Sequence, residues 1–77
     1  MSQYDKLDSL IVDSIKGGCH SFYAIFNSRS VFDEAMRISM AIKLVQSIVV
    51  DRRLQALRRR GVIVHVTGWG WRMKEVA

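Results

Sequence analysis

Cys19 and His20 are the residues whose types come closest to catalytic or metal chemistry, because they place a thiol beside an imidazole. Neighbours in sequence do not form a nucleophile and base without suitable geometry and a third group that orients the base. A metal site would need further ligands, and His65 is the other histidine of the chain. Phosphate-cradling glycine motifs and recognisable carboxylate pairs are also missing from the sequence. We therefore expect no enzyme, no metal and no cofactor, with Cys19 a small buried residue and His20 at a turn or helix start.

The basic side chains are concentrated in the last third of the chain. Residues 1–50 hold five Lys and Arg against five Asp and Glu, whereas residues 51–77 hold seven against two. The formal charge of +5 therefore arises entirely from the last third. Such asymmetry favours a polyanionic partner, either nucleic acid or an acidic membrane surface.

Most arginines of the last third lie in VVDRRLQALRRRG, residues 49–61. This segment has the pattern of an amphipathic helix over about 47–60. Val50, Leu54 and Leu57 repeat at helical spacing and define its buried edge. At about 100° per residue, the opposite face carries Ile48, Arg52, Gln55 and Arg59. One flank carries Asp51 and Arg58, and the other carries Arg53, Ala56 and Arg60. We predict an exposed face of arginine and glutamine.

The first helix is predicted over about residues 3–16. Ser2 and Asp5 have the spacing of a capping box, and Gly17 with Gly18 ends the helix. Its apolar face consists of Leu7, Leu10, Ile11 and Ile15. The acids expected to lie off that face are Asp5, Asp8 and Asp13.

Two more helices are predicted in the middle of the chain. The spacing of Phe22, Ile25 and Phe26 favours a short helix over about 21–27 capped by Ser21, although a short strand over 22–26 also fits. A longer helix over about 30–45 begins with a Ser-x-x-Asp pattern at Ser30 and Asp33. Its core side is expected to consist of Phe32, Ala35, Met36 and Met40. No glycine or proline marks its end before Gln46.

The segment VIVHVTGWGWRMKEV predicts a β-hairpin over about 62–75. Its β-branched residues favour strands, and its glycines supply turn conformations. Trp71 and Met73 alternate with Arg72 and Lys74, so we expect the second strand to be apolar on one side and basic on the other. Trp71 is expected in the core, whereas Trp69, which lies between two glycines, is expected to be the more exposed tryptophan.

Length and composition indicate one small domain. At 77 residues the chain is near the lower limit for a core without staples, and its single cysteine excludes an internal disulfide. No apolar run approaches the about 20 residues that span a bilayer. The polar, acidic N-terminus does not resemble a signal peptide. We therefore expect a cytoplasmic protein.

This order of elements, several helices followed by a basic amphipathic helix, a glycine and a hairpin, resembles a winged helix-turn-helix domain. VDRRLQALRRRGVI is similar to the recognition helix of bacterial winged-helix regulators, and GWGWRM is similar to the closing strand of the wing. The arrangement also resembles that of small phage or prophage proteins. Residues 19–45 depart from the simplest pattern because they add a helical piece. The expected fold is mainly α with a C-terminal β-hairpin, three to four helices plus a two-stranded wing, in a single domain over 1–77.

The resemblance implies a double-stranded DNA-binding protein, a transcriptional regulator of bacterial or phage origin. The helix over 47–60 would enter the major groove, and the hairpin would act as the wing. Arginine and glutamine can each make two hydrogen bonds to a base edge. The candidates for base contacts are therefore Arg52, Gln55 and Arg59.

The remaining basic residues of this region are better suited to phosphates, where position matters more than sequence. The phosphate candidates are Arg58, Arg60, Arg72 and Lys74. Arg53 and Arg60 could instead cover core residues or pair with Asp51 or Glu75.

Other partners stay open on the sequence alone. A single domain of this size would contact one half-site of DNA, so a homodimer or a partner subunit is expected. The alternative function is a non-enzymatic adaptor, or an inhibitor of a host protein, on the same scaffold. Attachment to a membrane surface is a weaker interpretation, because Leu54 and Leu57 are needed for the core.

Overall fold

The chain folds into four α-helices followed by a two-stranded antiparallel hairpin, in a computed structural model that describes residues 3–74. The elements are α1 (Asp5–Lys16), α2 (Phe22–Phe26), α3 (Arg29–Ile42), α4 (Gln46–Arg59), β1 (Ile63–Val66) and β2 (Gly70–Met73). The predicted class, mainly α with a C-terminal hairpin, is confirmed. Within the described residues, no helix combines the length and the apolar character needed to cross a membrane.

Helix α1 places an apolar face in the core at the spacing predicted. Leu7, Ile11 and Ile15 are all buried. The helix begins at Asp5, with Tyr4 as its N-cap, rather than at residue 3. The other half of the expected capping pattern, Ser2, lies outside the described residues.

Ser21 is the N-cap of helix α2, and residues 22–26 are helical rather than the strand that the sequence also allowed. The Ser21 hydroxyl accepts a hydrogen bond of 3.0 Å from the backbone N–H of Ala24. Such a bond satisfies one of the amide groups that a first helical turn leaves without a partner. Ile25 is fully buried, while Phe22 and Phe26 are partly buried and stack with 5.8 Å between ring centres. The predicted short helix is confirmed.

Helix α3 buries only part of the side predicted to face the core: Ala35 is buried and Phe32 partly buried, as expected. The hydrophobic residues on its buried side are Val31, Ala35 and Ile38. Met36 is exposed and Met40 is 75% exposed, so the expectation that they face the core is wrong. Both stripes repeat at helical spacing, and the stripe that contains Val31 and Ile38 is the one buried where α3 packs against α1 and α4.

Glu34 also lies on the buried side of α3, where Arg37 neutralises it. Arg37 donates from Nη2 to Glu34 Oε2 at 2.6 Å and from Nε to Oε1 at 3.1 Å. These hydrogen bonds from Arg37 hold the pKa of Glu34 below its usual value. The pair explains how a carboxylate is kept beside the core.

The ends of α3 also differ from the prediction. The helix begins at Arg29 after Ser28, and no side chain caps it, so the predicted start at Ser30 is wrong. It ends at Ile42 rather than at residue 45, because Lys43 adopts the left-handed conformation with φ 58°. The Ser39 hydroxyl donates to the Leu44 carbonyl just beyond that end. Residues 43–45 then connect α3 to α4.

Helix α4 follows the prediction closely. Its predicted buried edge is confirmed, since Val50 and Leu54 are fully buried and Leu57 nearly so. The side-chain amide of Gln46 donates to the Phe32 carbonyl at 2.8 Å and holds the first turn of α4 against α3. The side of α4 opposite the buried edge therefore faces solvent.

The hairpin is held against the helices through β2. In its register His65 lies opposite Trp71, and both Ile63 and Trp71 are buried. The backbone N–H of Trp71 donates to the His20 carbonyl at 2.6 Å. Gly70 has φ +81°, and an added β-carbon there would lie 3.0 Å from the His20 carbonyl carbon and closer still to its oxygen. The loop between α1 and α2 thus fixes the position of the hairpin, and only glycine permits that approach.

Candidate nucleic-acid interface

The solvent face of α4 presents Arg52 and Arg59, as predicted. Both side chains are exposed, and neither forms an ion pair within residues 3–74. Gln55 lies between them in sequence on the same side of the helix, but its side chain is half-buried. The three base-contact candidates therefore share a helix face without sharing the same exposure.

Arg53, on a flank of α4, forms an ion pair with Asp8 of α1. The arginine donates from Nε to Oδ1 at 2.9 Å and from Nη2 to Oδ2 at 2.8 Å. Its guanidinium also lies over the Tyr4 ring, 4.5 Å from the ring centre. The hydrogen bonds to Asp8 raise the pKa of Arg53. The guanidinium is thus committed to holding α1 and α4 together.

This ion pair corrects the expectation that Asp8 lies off the apolar face of α1. Asp8 is buried, because it lies only about 20° around the helix from Ile15 at about 100° per residue. Arg53 does not pair with Asp51 as the sequence allowed, and Glu75 lies outside the described residues. The arginine therefore finds its partner on another helix.

Arg60, a phosphate candidate, lies at the edge of the same ion pair. Its Nη1 is 4.0 Å from Asp8 Oδ2, and its side chain is 64% exposed. An exposed pair at that distance contributes little, since water screens it. Arg53 already makes the closer contacts with this carboxylate, so the charge of Arg60 stays available to a partner.

A cleft of about 230 Å³ lies between α4 and the hairpin. Its lining consists of Gln55, Arg58, His65 and Trp71. The His65 ring meets the Trp71 ring edge-on, with 4.8 Å between their centres. Arg58, another phosphate candidate, is exposed and forms no ion pair in the described part of the chain. His65 was not among the predicted site residues. Its position could have been inferred from strand alternation, because His65 and Ile63 are two residues apart and so lie on the same side of β1.

The two phosphate candidates on the hairpin differ in their surroundings. Arg72 holds its guanidinium over the Trp69 ring, 5.0 Å from the ring centre. The Nε of Arg72 is buried without a hydrogen-bond partner among residues 3–74. Lys74 is exposed. Trp69 is 65% exposed, while Trp71 is buried, which confirms the predicted difference between the tryptophans.

The residues first considered for catalysis lie in structural positions. Cys19 is partly buried and packs against the core, and the carbonyl of His20 accepts the hydrogen bond from β2. No group of three or more His, Cys, Asp or Glu side chains that could hold a metal ion occurs among residues 3–74.

Comparisons with protein-family models, with curated proteins and with solved structures find no match to this chain. Its function must therefore be inferred from the side chains of α4 and the hairpin.

Proposed function

We propose that this protein binds double-stranded DNA, with α4 in the major groove and the hairpin against the flanking backbone. The observation that carries the proposal is the exposure of Arg52 and Arg59 on α4 without a carboxylate partner in the described residues. Asp8 neutralises Arg53, which faces α1, whereas Arg52 and Arg59 remain exposed to solvent. Unpaired guanidinium groups on one helix face suit a polyanion.

The dimensions of α4 support this assignment. A helix about 10–12 Å across enters a major groove that is about 12 Å wide. Arg52 and Arg59 are about 10 Å apart along the helix axis at about 1.5 Å per residue. That separation corresponds to about three base pairs at about 3.4 Å each. Arginine binds guanine through two hydrogen bonds, so both residues are assigned to base edges.

The proposed architecture is a winged helix-turn-helix. Residues 43–45, between α3 and α4, have the length of the turn in such a motif. The hairpin follows α4 directly and takes the place of the wing. The proposed role is transcriptional control in the cytoplasm of a bacterium, by a protein of bacterial or phage origin. Two copies would act together, because one recognition helix reads one half-site.

Salt dependence of duplex binding tests the proposal. Fluorescence anisotropy with a labelled random-sequence duplex at about 50 and 200 mM salt reports the number of phosphates neutralised. With Arg58 and Lys74 alone, the log–log slope is about −1.8 and Kd rises about 12-fold over that range. With Arg60 and Arg72 as well, the slope is about −3.6 and Kd rises about 150-fold. A folded protein that does not bind at the lower salt concentration would contradict the proposal.

Selection of bound duplexes from a random pool tests the base contacts. Arg52→Ala or Arg59→Ala should cost about 1–3 kcal/mol on the selected site and relax the preference at one position. Lys6→Gln is the control, because it removes one charge from an exposed position on α1. Equal losses on all sequences would assign the two arginines to phosphates instead.

A second candidate function, a protein-binding adaptor or inhibitor, is favoured by the outer surface of the hairpin. Val64, Val66 and Trp69 are all exposed there. Adjacent exposed apolar side chains are typical of protein interaction sites. Failure of the folded protein to bind a duplex at about 50 mM salt would favour this candidate over DNA binding.

A further inference from the structure

We propose that the cleft between α4 and β1 binds one phosphodiester group of the DNA backbone, an inference that rests on the function proposed above. Its lining residues are Gln55, Arg58 and His65, with Trp71 as the floor. This gives His65 a binding role that the sequence did not indicate. It also moves Gln55 from a base edge to the backbone.

The size of the cleft suits a single phosphate group. Its volume of about 230 Å³ lies below the about 300–1,000 Å³ typical of pockets for small molecules and cofactors. The floor is fixed, because Trp71 is buried and its backbone N–H donates a hydrogen bond to the His20 carbonyl. A small polar group can therefore enter the cleft without displacing the hairpin.

The chemistry of the lining suits an anion. The guanidinium of Arg58 offers a planar set of N–H donors that matches phosphate oxygens. The Gln55 amide and the His65 imidazole add further donors. No Asp or Glu belongs to the described lining, and Arg58 makes no ion pair within residues 3–74. A guanidinium beside further N–H donors, without a competing carboxylate, favours an oxyanion as the ligand.

Two of the donors, His65 and Gln55, are restrained by packing before any ligand arrives, while Arg58 is exposed. His65 lies opposite Trp71 in the hairpin register, and its ring packs edge-on against the indole at 4.8 Å. Gln55 is half-buried between α4 and the hairpin. Side chains ordered in advance lose less entropy on binding. Donors with this placement favour a contact with the DNA backbone, which is the same whatever the base sequence of the duplex.

The location of the cleft agrees with the proposed docking of DNA. With α4 in the major groove and the hairpin on its flank, a backbone strand bordering the groove passes between the two elements. The cleft opens at that junction, beside the exposed face of Arg52 and Arg59. Gln55 would then fix the register of the protein on the duplex, as phosphate contacts do.

Variants of the three lining residues test the proposal on two kinds of duplex, random and selected. Arg58→Gln and His65→Ala should weaken binding to both about three- to tenfold at about 50 mM salt. Loss of the Arg58 contact should lower the salt slope by about 1. For Arg58→Gln, the ratio of the variant Kd to the wild-type Kd should therefore decrease about 3.5-fold between about 50 and 200 mM salt. Gln55→Ala should weaken binding while leaving the selected base preference unchanged.

Two controls separate the cleft from general effects. Lys6→Gln removes one charge from α1, and Val64→Ala truncates the neighbour of His65 on the outer side of β1. Thermal melting by circular dichroism identifies variants that do not fold. If His65→Ala is one of them, His65→Gln and Arg58→Gln carry the test.

The outcomes distinguish this proposal from the proposed function. Cleft variants that match the controls, on a duplex that the wild type binds, overturn the cleft while DNA binding stands. A changed base preference in Gln55→Ala also overturns the cleft, because it returns that residue to a base edge. Absence of wild-type binding to any duplex overturns DNA binding and the cleft together.

Discussion

Replacing Gly70 with alanine tests how the hairpin is attached to the helices, and Gly68 provides a matched control. Gly70 and Gly68 have φ +81° and +82°, so alanine has a positive φ of the same size at each position. At Gly68 nothing lies within 4 Å of an added β-carbon, whereas at Gly70 that carbon would lie 3.0 Å from the His20 carbonyl carbon and closer still to its oxygen. The difference in unfolding free energy between the two variants therefore measures the contact with His20.

The expected magnitudes differ enough to be measured. The left-handed conformation costs alanine about 1–2 kcal/mol, partly offset by about 0.4–1 kcal/mol from the reduced entropy of the unfolded chain. Gly68→Ala should thus lower the free energy of unfolding by about 1 kcal/mol. Gly70→Ala also breaks the 2.6 Å hydrogen bond from Trp71 to His20, which adds about 1–3 kcal/mol for polar groups left without partners. A loss of about 2–4 kcal/mol is large beside the about 4–12 kcal/mol expected for a chain of this length.

Urea unfolding followed by circular dichroism provides the comparison. The wild type and both variants should show one transition each, with Gly70→Ala at the lowest urea concentration. Unfolding free energies for Gly68→Ala and Gly70→Ala that agree within about 0.5 kcal/mol would refute the attachment of β2 to the α1–α2 loop.

Three further predictions concern the helices. Asp8→Asn should lower the free energy of unfolding by about 2 kcal/mol, because the partly buried guanidinium of Arg53 loses its counter-charge. In the same urea titration, Asp13→Asn at an exposed position should change the free energy of unfolding by less than about 0.5 kcal/mol. Equal effects of the two substitutions would contradict the role of the ion pair. Ser21→Ala should cost about 1 kcal/mol by the same assay, since it removes the cap of α2; an unchanged value would mean that the cap contributes nothing. The hydrogen bond from Arg37 lowers the pKa of Glu34, so its stabilisation is present above about pH 4.3 and is lost as the pH falls through the lowered pKa. Urea unfolding of the wild type and Glu34→Gln should therefore converge at acid pH, and a difference that is constant from about pH 7 to about pH 3 would refute this.

The order of the elements and the orientation of α4 could be predicted from the sequence because their signals are local. Val50, Leu54 and Leu57 form one apolar stripe on an otherwise polar helix, and Gly61 follows its end. The flanking glycines of Trp69 likewise indicated an exposed turn, which the structure confirms.

The errors arise where the sequence offers two local solutions and packing chooses between them. Helix α3 carries two apolar stripes at the same spacing, and its packing against α1 and α4 leaves Met36 and Met40 outside the core. The ion pair of Asp8 and Arg53 joins residues 45 positions apart, so no local pattern could reveal it. The cleft at His65 likewise exists only once the hairpin has folded against α4.

The contrast between Trp69, in the turn between β1 and β2, and Trp71, in β2, gives the protein two intrinsic fluorescence reporters. Trp69 is largely exposed to water, while Trp71 lies in the apolar interior, so we expect their emission maxima to differ in wavelength. A ligand that contacts the tip of the hairpin should change the long-wavelength emission of Trp69. Detachment of the hairpin from the helices should change the short-wavelength emission of Trp71. Contact at the hairpin tip and detachment of the hairpin can thus be followed separately in the unlabelled chain, and Trp69→Phe isolates the Trp71 signal, which a phosphate bound in the cleft would also change.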